Sequence, residues 1–389
     1  MLTHLLRACL AVVFAATGLA VTTSAIASPG STPQSTAKVD CLVFDTTGKC
    51  TQAGVVYAIT QIGDLTYIGG NFASIGGVPR ANLAAIRADG TLDPTWNPSA
   101  NGIVYALAAA ADGSKVFVGG GFTTMGGTTR SRLAAVAPDT GALLTGWVGT
   151  VNNNLVRALT TDTADRLYVG GSFARLNGRA IARLGVVSQS SGVEVASFAP
   201  NPNNTVRALG LSDDGSKLYA GGSFTTMGGS ARPGIAEIST AGAVTSFAPA
   251  DGGVVISLDV TPSGRLFFGT TSNRTWAYDP AISSAGIYRV RSGGDVQAIL
   301  ATDTEVYIGG HFNNLPEAKV ERVALASFNP ADGAVTAWNP GANGPFGVWA
   351  IAMTNTTPQS PNATPALSIG GDFTRVGDVA RRGYTRFLF

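Results

Sequence analysis

Residues 115–127 read KVFVGGGFTTMGG, residues 166–178 read RLYVGGSFARLNG and residues 217–229 read KLYAGGSFTTMGG. One phrase thus returns about every 50 residues: an apolar run, a Gly-Gly-x-Phe stop, and a turn rich in Gly and small polar residues. The stop recurs at Gly69–Phe72, Gly119–Phe122, Gly170–Phe173, Gly221–Phe224, Gly309–Phe312 and Gly370–Phe373, and a fifth copy departs with Gly269-Thr270-Thr271-Ser272. Before each copy stands a Val-x-[Ala/Ser]-[Leu/Ile] tetrad, beginning at Val56, Val104, Val156, Val206, Val255, Val296 and Val348. After each comes another apolar stretch, such as Leu83–Ile86 or Leu133–Val136. A single aromatic follows about eight residues before the next tetrad: Trp96, Trp147, Phe198, Phe247, Tyr288 and Trp338.

Each unit holds four short runs of Val, Ile, Leu and aromatics punctuated by Gly, Asn and Asp, the pattern of four antiparallel strands. Four strands per 40 to 50 residues, repeated, predict an all-β fold: a seven-bladed β-propeller of four-stranded antiparallel blades. One sheet cannot bury both its faces, so neighbouring blades bury them for each other. There are seven tetrads but six fourth-strand aromatics, and the chain stops at Phe389 just after YTRFLF, the third run of the last unit. The seventh aromatic is therefore predicted at the front, at Phe44. An N-terminal outer strand there pairs with the C-terminal blade and closes the ring, removing two exposed sheet edges. Cys41 and Cys50 flank this strand, and a disulfide between them is expected to stabilise by roughly 2 to 3 kcal/mol.

The first residues carry Arg7, an apolar stretch from Ala8 to Val21, and Ala25-Ile26-Ala27, the layout of a secretory signal peptide. Cleavage after Ala27 leaves residues 28–389. Residues 28–39, rich in Ser, Thr and Pro, read as a flexible lead-in, and 40–389 as the propeller. A secreted, extracellular bacterial chain suits the Cys41–Cys50 pair. Of 389 residues, 50 are Gly, 26 are Lys or Arg and 24 are Asp or Glu, a formal net charge of +2. That composition excludes a helical array and a disordered chain, and the small charge gives no reason to expect a nucleic-acid partner.

The repeated strings quoted above, followed by an apolar strand and an outer aromatic, resemble the Delta-60 repeat family of secreted bacterial β-propellers and, more loosely, kelch repeats. The resemblance spans residues 40–389. It implies a propeller fold and carries over no catalytic residues.

In an up-and-down meander, the loops entering the first strand and those leaving the second share one face, which is where a site is expected. The entering loops are rich in Asn and Gly, at residues 97–102, 152–154, 201–204 and 339–344. They offer oxygens to sugar hydroxyls or to calcium, or else simply satisfy tight turns. Residues after the Gly pairs fall near that face, placing His311, Asp372 and Asn71 on one arc. A His beside an Asp is a candidate base or metal ligand. The second tetrad position varies across Tyr57, Tyr105, Arg157, Arg207, Ile256, Gln297 and Trp349. These side chains either line the channel mouth, where they stack on a sugar or hold a carboxylate, or pack between blades. Recurrent Arg80, Arg130, Arg179, Arg232 and Arg381 form a cationic ring or an inter-blade prop. The short fifth unit predicts a notch beside Arg274 and Trp276.

No Gly-x-Ser-x-Gly, HExxH or GxxxxGK[ST] occurs, and His311 is the one His after the leader. The expectation is a monomeric, secreted, non-catalytic scaffold that binds an extracellular protein or glycan on the loop-rich face, with no cofactor unless calcium. The alternatives are a secreted lyase or hydrolase of a cell-envelope or plant polymer around His311 and Asp372, and a structural spacer in the envelope.

Overall fold

The computed structural model describes residues 28–44, 46–47, 50–354 and 364–389. The predicted signal peptide lies outside these residues. All regular structure among them is strand, arranged in seven antiparallel sheets of three or four strands plus short two-stranded pairs. In each sheet the tetrad forms the inner strand, the run before the Gly pair the middle one, and the second apolar stretch the third. The first sheet is Val55–Ile62, Leu65–Asn71 and Leu83–Ile86. The last is Val348–Thr354, Ala366–Gly371 and Tyr384–Leu388. Each inner strand packs beside that of the next sheet, and the inner strand of the last sheet packs beside that of the first.

Valine and glycine are tied together by this packing. A Cβ built on the first Gly of each pair meets a methyl of the following unit's tetrad Val. Gly69 faces Val104 at 2.5 Å, Gly119 faces Val156 at 2.5 Å, Gly221 faces Val255 at 2.5 Å and Gly309 faces Val348 at 2.6 Å. The series ends where it began, with Gly370 facing Val56 of the first unit at 2.5 Å. The Val methyls occupy the space a side chain would need, so the pair acts as knob and socket between sheets.

The second Gly answers a different demand. In all seven inner strands the register slips between the first and third tetrad residues, so the second is the extra residue of a β-bulge. The bulge drives the preceding carbonyl against the facing strand: a Cβ on Gly70, Gly120 or Gly171 would lie 1.9, 2.2 or 2.1 Å from it. Glycine is needed there because the two backbones approach so closely. The fifth sheet carries Thr270 instead and keeps the local bond, Thr271 N–H to Val254 C=O at 3.0 Å.

Among the described residues, four strands per unit are found only in the fifth sheet, through Arg274–Tyr278 and Gly286–Arg291, and no fourth strand joins the main sheet of the other units. In five of them a single bridge, such as Ile86 to Leu92 or Val136 to Leu143, precedes an irregular segment. That segment is held by side chains instead. Trp96 packs on Tyr67 with ring centroids 4.9 Å apart, Trp147 on Phe117 at 5.4 Å, and Trp338 on Tyr307 at 5.5 Å. Most of the turn strings also fold into a second, small hairpin. Gly126 and Gly127 have φ of 55° and 78°, and Gly228 and Gly229 have 56° and 78°. Two successive positive φ values are what a two-residue hairpin turn of the right twist requires.

At the front of the chain the expected pairing of Phe44 is not made. The strand Cys41–Phe44 forms its own hairpin with Cys50–Ala53, Phe44 facing Cys50 across it. The disulfide Cys41–Cys50 closes that hairpin, with Cα atoms 5.8 Å apart. The segment beside the last strand is the one read as a flexible lead-in. Gly30 N–H donates to Leu388 C=O at 3.0 Å, Gln34 N–H to Arg386 C=O at 2.8 Å and Val39 N–H to Arg382 C=O at 3.1 Å. Pro33, Thr36 and Val39 are buried, at the three-residue spacing of an extended, polyproline-like chain. The physical reason lies in the last sheet itself. Its middle strand carries Ser368 where the first carries Tyr67, so it offers no ring for an aromatic such as Phe44 to pack on.

Candidate functional site

The seven bulges point seven side chains at one place. Tyr57, Tyr105, Arg157, Arg207, Ile256, Gln297 and Trp349 line one cavity of about 480 Å³, together with Thr271 and Asp295. A bulge re-aims the extra residue's side chain, which here turns it out of the inter-sheet packing and into the shared opening. The volume falls within the roughly 300–1,000 Å³ usual for small-molecule sites.

The lining is sorted by chemistry around the opening. Trp349, Tyr57 and Tyr105, from the seventh, first and second units, form a continuous aromatic arc. Tyr57 lies 5.2 Å from Trp349, edge-on at 78°, and 5.3 Å from Tyr105. The third unit continues it with Arg157, whose guanidinium carbon sits 5.0 Å above the Tyr105 ring. Arg207 follows, its Nε donating to Ser223 Oγ at 3.0 Å. Partial burial first, and the neighbouring Arg157 second, lower the Arg207 pKa. Burial, Tyr105 and Asp372 raise the Tyr57 pKa against the opposing pull of Arg157, so its hydroxyl keeps its proton.

His311 and Asp372 are neighbours without a direct bond. Asp372 Oδ2 accepts the Phe346 N–H at 3.0 Å, while Oδ1 has no hydrogen-bond partner among the described residues. With the residue 4% exposed, burial raises its pKa despite donors from Phe346 and Gly347 and the field of His311. His311 is exposed, and its ring lies 6.3 Å from that of Phe346, which in turn lies 6.4 Å from Trp349. Asn71 lines a separate cavity of about 640 Å³ with Asp372, Phe346, Tyr57 and Cys50. The Phe346 backbone holds Asp372 while its ring faces His311, so the three form one cluster without a direct His–Asp bond.

The Asn-rich loops are already engaged by the fold. Asn101 Oδ1 accepts from Thr123 and Thr124 N–H at 2.8 and 2.9 Å, and its Nδ2 donates to Thr123 Oγ1 at 2.8 Å. Asn203 and Asn343 repeat the same three bonds with Thr225 and Thr226, and with Thr374 and Arg375. The recurrent arginines also face inward. Arg80 bonds the carbonyls of Asp93 and Pro94, Arg130 that of Thr145, and Arg232 that of Thr245, each holding its irregular outer segment. Arg381 does the same to Gln34 and Pro33, which makes residues 28–39 the counterpart of those segments. Arg179 instead pairs with Glu194. Beside the expected notch, Trp276 is half-buried, with Arg289 5.7 Å over its ring.

Two residues lining the cavity of about 480 Å³, and Phe346 in the neighbouring one, lay outside the sequence-based set. Asp295 stands just before the sixth tetrad, and Thr271 follows Gly269-Thr270, where the fifth unit departs from the Gly pair. Asp295 is the one charged residue among the seven immediately preceding a tetrad Val, which was a usable signal. Phe346 is 57% exposed and is the one aromatic in the loop at 339–347.

Comparison with known proteins agrees with this geometry. The family model described as domain of unknown function (DUF5122) beta-propeller matches residues 66–95. No curated protein matches the sequence. A chain in the crystal structure of the mitotic checkpoint complex is similar at 13% identity and a TM-score of 0.60, covering 100% of this chain and 99% of its own. The WD40 beta propeller domain of Doa1 is similar at 11% identity and a TM-score of 0.57, covering 90% and 96%. The chain is therefore an all-β protein with a β-propeller fold. Among the described residues no helix is long and apolar enough to cross a membrane.

Proposed function

We propose that this chain is a secreted, monomeric, seven-bladed propeller of the Delta-60 type that acts as a non-catalytic recognition scaffold outside the cell. Its ligand, a glycan or a protein, docks on the loop-rich face over the cavity mouth. The cyclic series of Gly–Val contacts, and the bonding of residues 30–39 to the last strand, support a closed ring. The observation that carries the binding role is the convergence of seven side chains of five kinds, from seven equivalent bulges, on one cavity. A repeat built for packing alone has no need to vary at those positions and hold constant at the flanking Val. Support for a scaffold over an enzyme comes from Asp372, whose Oδ2 is engaged by the Phe346 N–H and makes no bond to the exposed His311. The test is glycan-array and pull-down binding with single variants. Binding that survives His311→Ala and fails in Trp349→Ala or Tyr105→Ala is expected. Polymer turnover abolished by His311→Ala would instead establish the lyase or hydrolase reading.

A further inference from the structure

Within the aromatic-lined cavity, two arginines from adjacent units stand without an ion-pair partner. Arg157 makes a cation–π contact with Tyr105, and Arg207 bonds to a neutral serine hydroxyl. Neither forms an ion pair with any described residue; the arginines that do are Arg87, Arg166, Arg179 and Arg289, all elsewhere. The one acid lining the cavity is Asp295, which comes from the sixth unit, whereas the arginines come from the third and fourth. Two cations and one anion leave a single uncompensated positive charge lining the cavity. A singly charged anion balances it, and the planar fork of arginine matches a carboxylate with two parallel bonds.

The rest of the lining describes what that carboxylate is attached to. The Trp349–Tyr57–Tyr105 arc leads directly to Arg157, giving flat apolar surface continuous with the charged end. Tyr57, Tyr105, Thr271 and Gln297 bring hydroxyl and amide groups into the same space. A body with apolar C–H faces, several hydroxyls and one carboxylate uses all of these features. An aryl acid or fatty acid leaves the polar groups unmatched. We propose that the cavity binds a uronic acid residue of an acidic glycan, its pyranose ring against Trp349 and Tyr57 and its carboxylate between Arg157 and Arg207.

This proposal rests on the recognition reading above and narrows it to one ligand class. Isothermal titration of the whole mature chain with galacturonate and glucuronate oligomers, their neutral glucose counterparts and a sulfated glucose oligomer tests it without any variant. Uronate oligomers are expected to bind at least tenfold more tightly than neutral ones and to weaken as salt rises. Equal affinity for neutral oligomers overturns the uronate assignment while leaving glycan recognition standing. Preference for the sulfated oligomer overturns the carboxylate. In Arg157→Gln and Arg207→Gln, checked by unchanged melting, the uronate preference is expected to fall by tenfold or more. Trp349→Ala is expected to weaken charged and neutral oligomers alike. A uronate preference that survives both arginine substitutions also refutes the proposal.

Discussion

A methyl group added at Gly370 tests both the knob-and-socket packing and the adjacency of the first and last units. In Gly370→Ala the new Cβ falls 2.5 Å from Val56 Cγ1, 2.9 Å from its Cβ and 3.2 Å from its carbonyl oxygen. Carbon atoms rest at about 3.5–4.0 Å, so the overlap exceeds about 1 Å. Overpacking of this kind costs about 1–3 kcal/mol, offset by roughly 0.4–1 kcal/mol from a stiffer unfolded chain. The net expectation is a loss of about 1–2 kcal/mol. Val56→Ala, which empties a fully buried site, is expected to cost about 2–3 kcal/mol. In the double variant the 2.5 Å clash with Cγ1 is gone while the 2.9 Å approach to Cβ remains, so about half or more of the Gly370→Ala loss should vanish. The resulting coupling of about 1 kcal/mol stands clear of the roughly 0.3–0.5 kcal/mol scatter of independent sites. Urea unfolding of the four proteins, followed by tryptophan fluorescence, measures it. Val104→Ala, whose partner is Gly69, serves as the additive control. Additivity between Gly370→Ala and Val56→Ala refutes the contact, and with it the adjacency of first and last units.

Asp259 receives N–H groups from Val260 at 2.9 Å and Ala301 at 2.8 Å, yet burial pushes its pKa up to about 6. The folded state then binds more protons than the unfolded chain between about pH 4 and 6, so this stability is present below pH 4 and lost as pH rises through 6. Relative to Asp259→Asn, the parent protein should lose at most about 3 kcal/mol between pH 4 and 7, and a gap that does not change with pH contradicts this. Arg80 is almost wholly buried and bonds three carbonyls. Arg80→Ala should cost about 2–4 kcal/mol, with Arg80→Lys recovering only part because an ammonium lacks the fork; full recovery in chemical denaturation goes against the fork's role. Asn203→Ala removes three bonds and should lower stability by about 1–2 kcal/mol. Melting of the parent protein should not rise with added calcium, since those oxygens already accept N–H groups; an upward shift restores the cation reading.

The frame of the fold was legible because its demands are periodic. Val56 and Gly69 and their counterparts recur since every sheet makes the same contact with the next, so their spacing alone located the inner and middle strands. Fourth strands were over-read because Trp96 or Trp147 marks a buried segment as well as a strand does, and nothing local says whether its carbonyls meet a neighbouring strand or an arginine. Phe44 was misplaced for a related reason. It supplied a missing aromatic, while the true partner of the last strand, residues 28–39, is recognised through its carbonyl groups, which every sequence has. The cavity residues were found as a set because they vary inside a constant frame. Phe346 and Asp295 escaped since each occurs in one unit only and no repeat draws attention to it.

The bulges also separate two jobs that most folds mix. Each of the seven displaced residues has left the sheet's ladder, so exchanging Tyr57 for an arginine, or Arg207 for a tryptophan, leaves every valine–glycine socket as it was. The opening is in effect a dial of seven positions on a constant chassis, and its lining can be rewritten one unit at a time without remaking the protein that carries it.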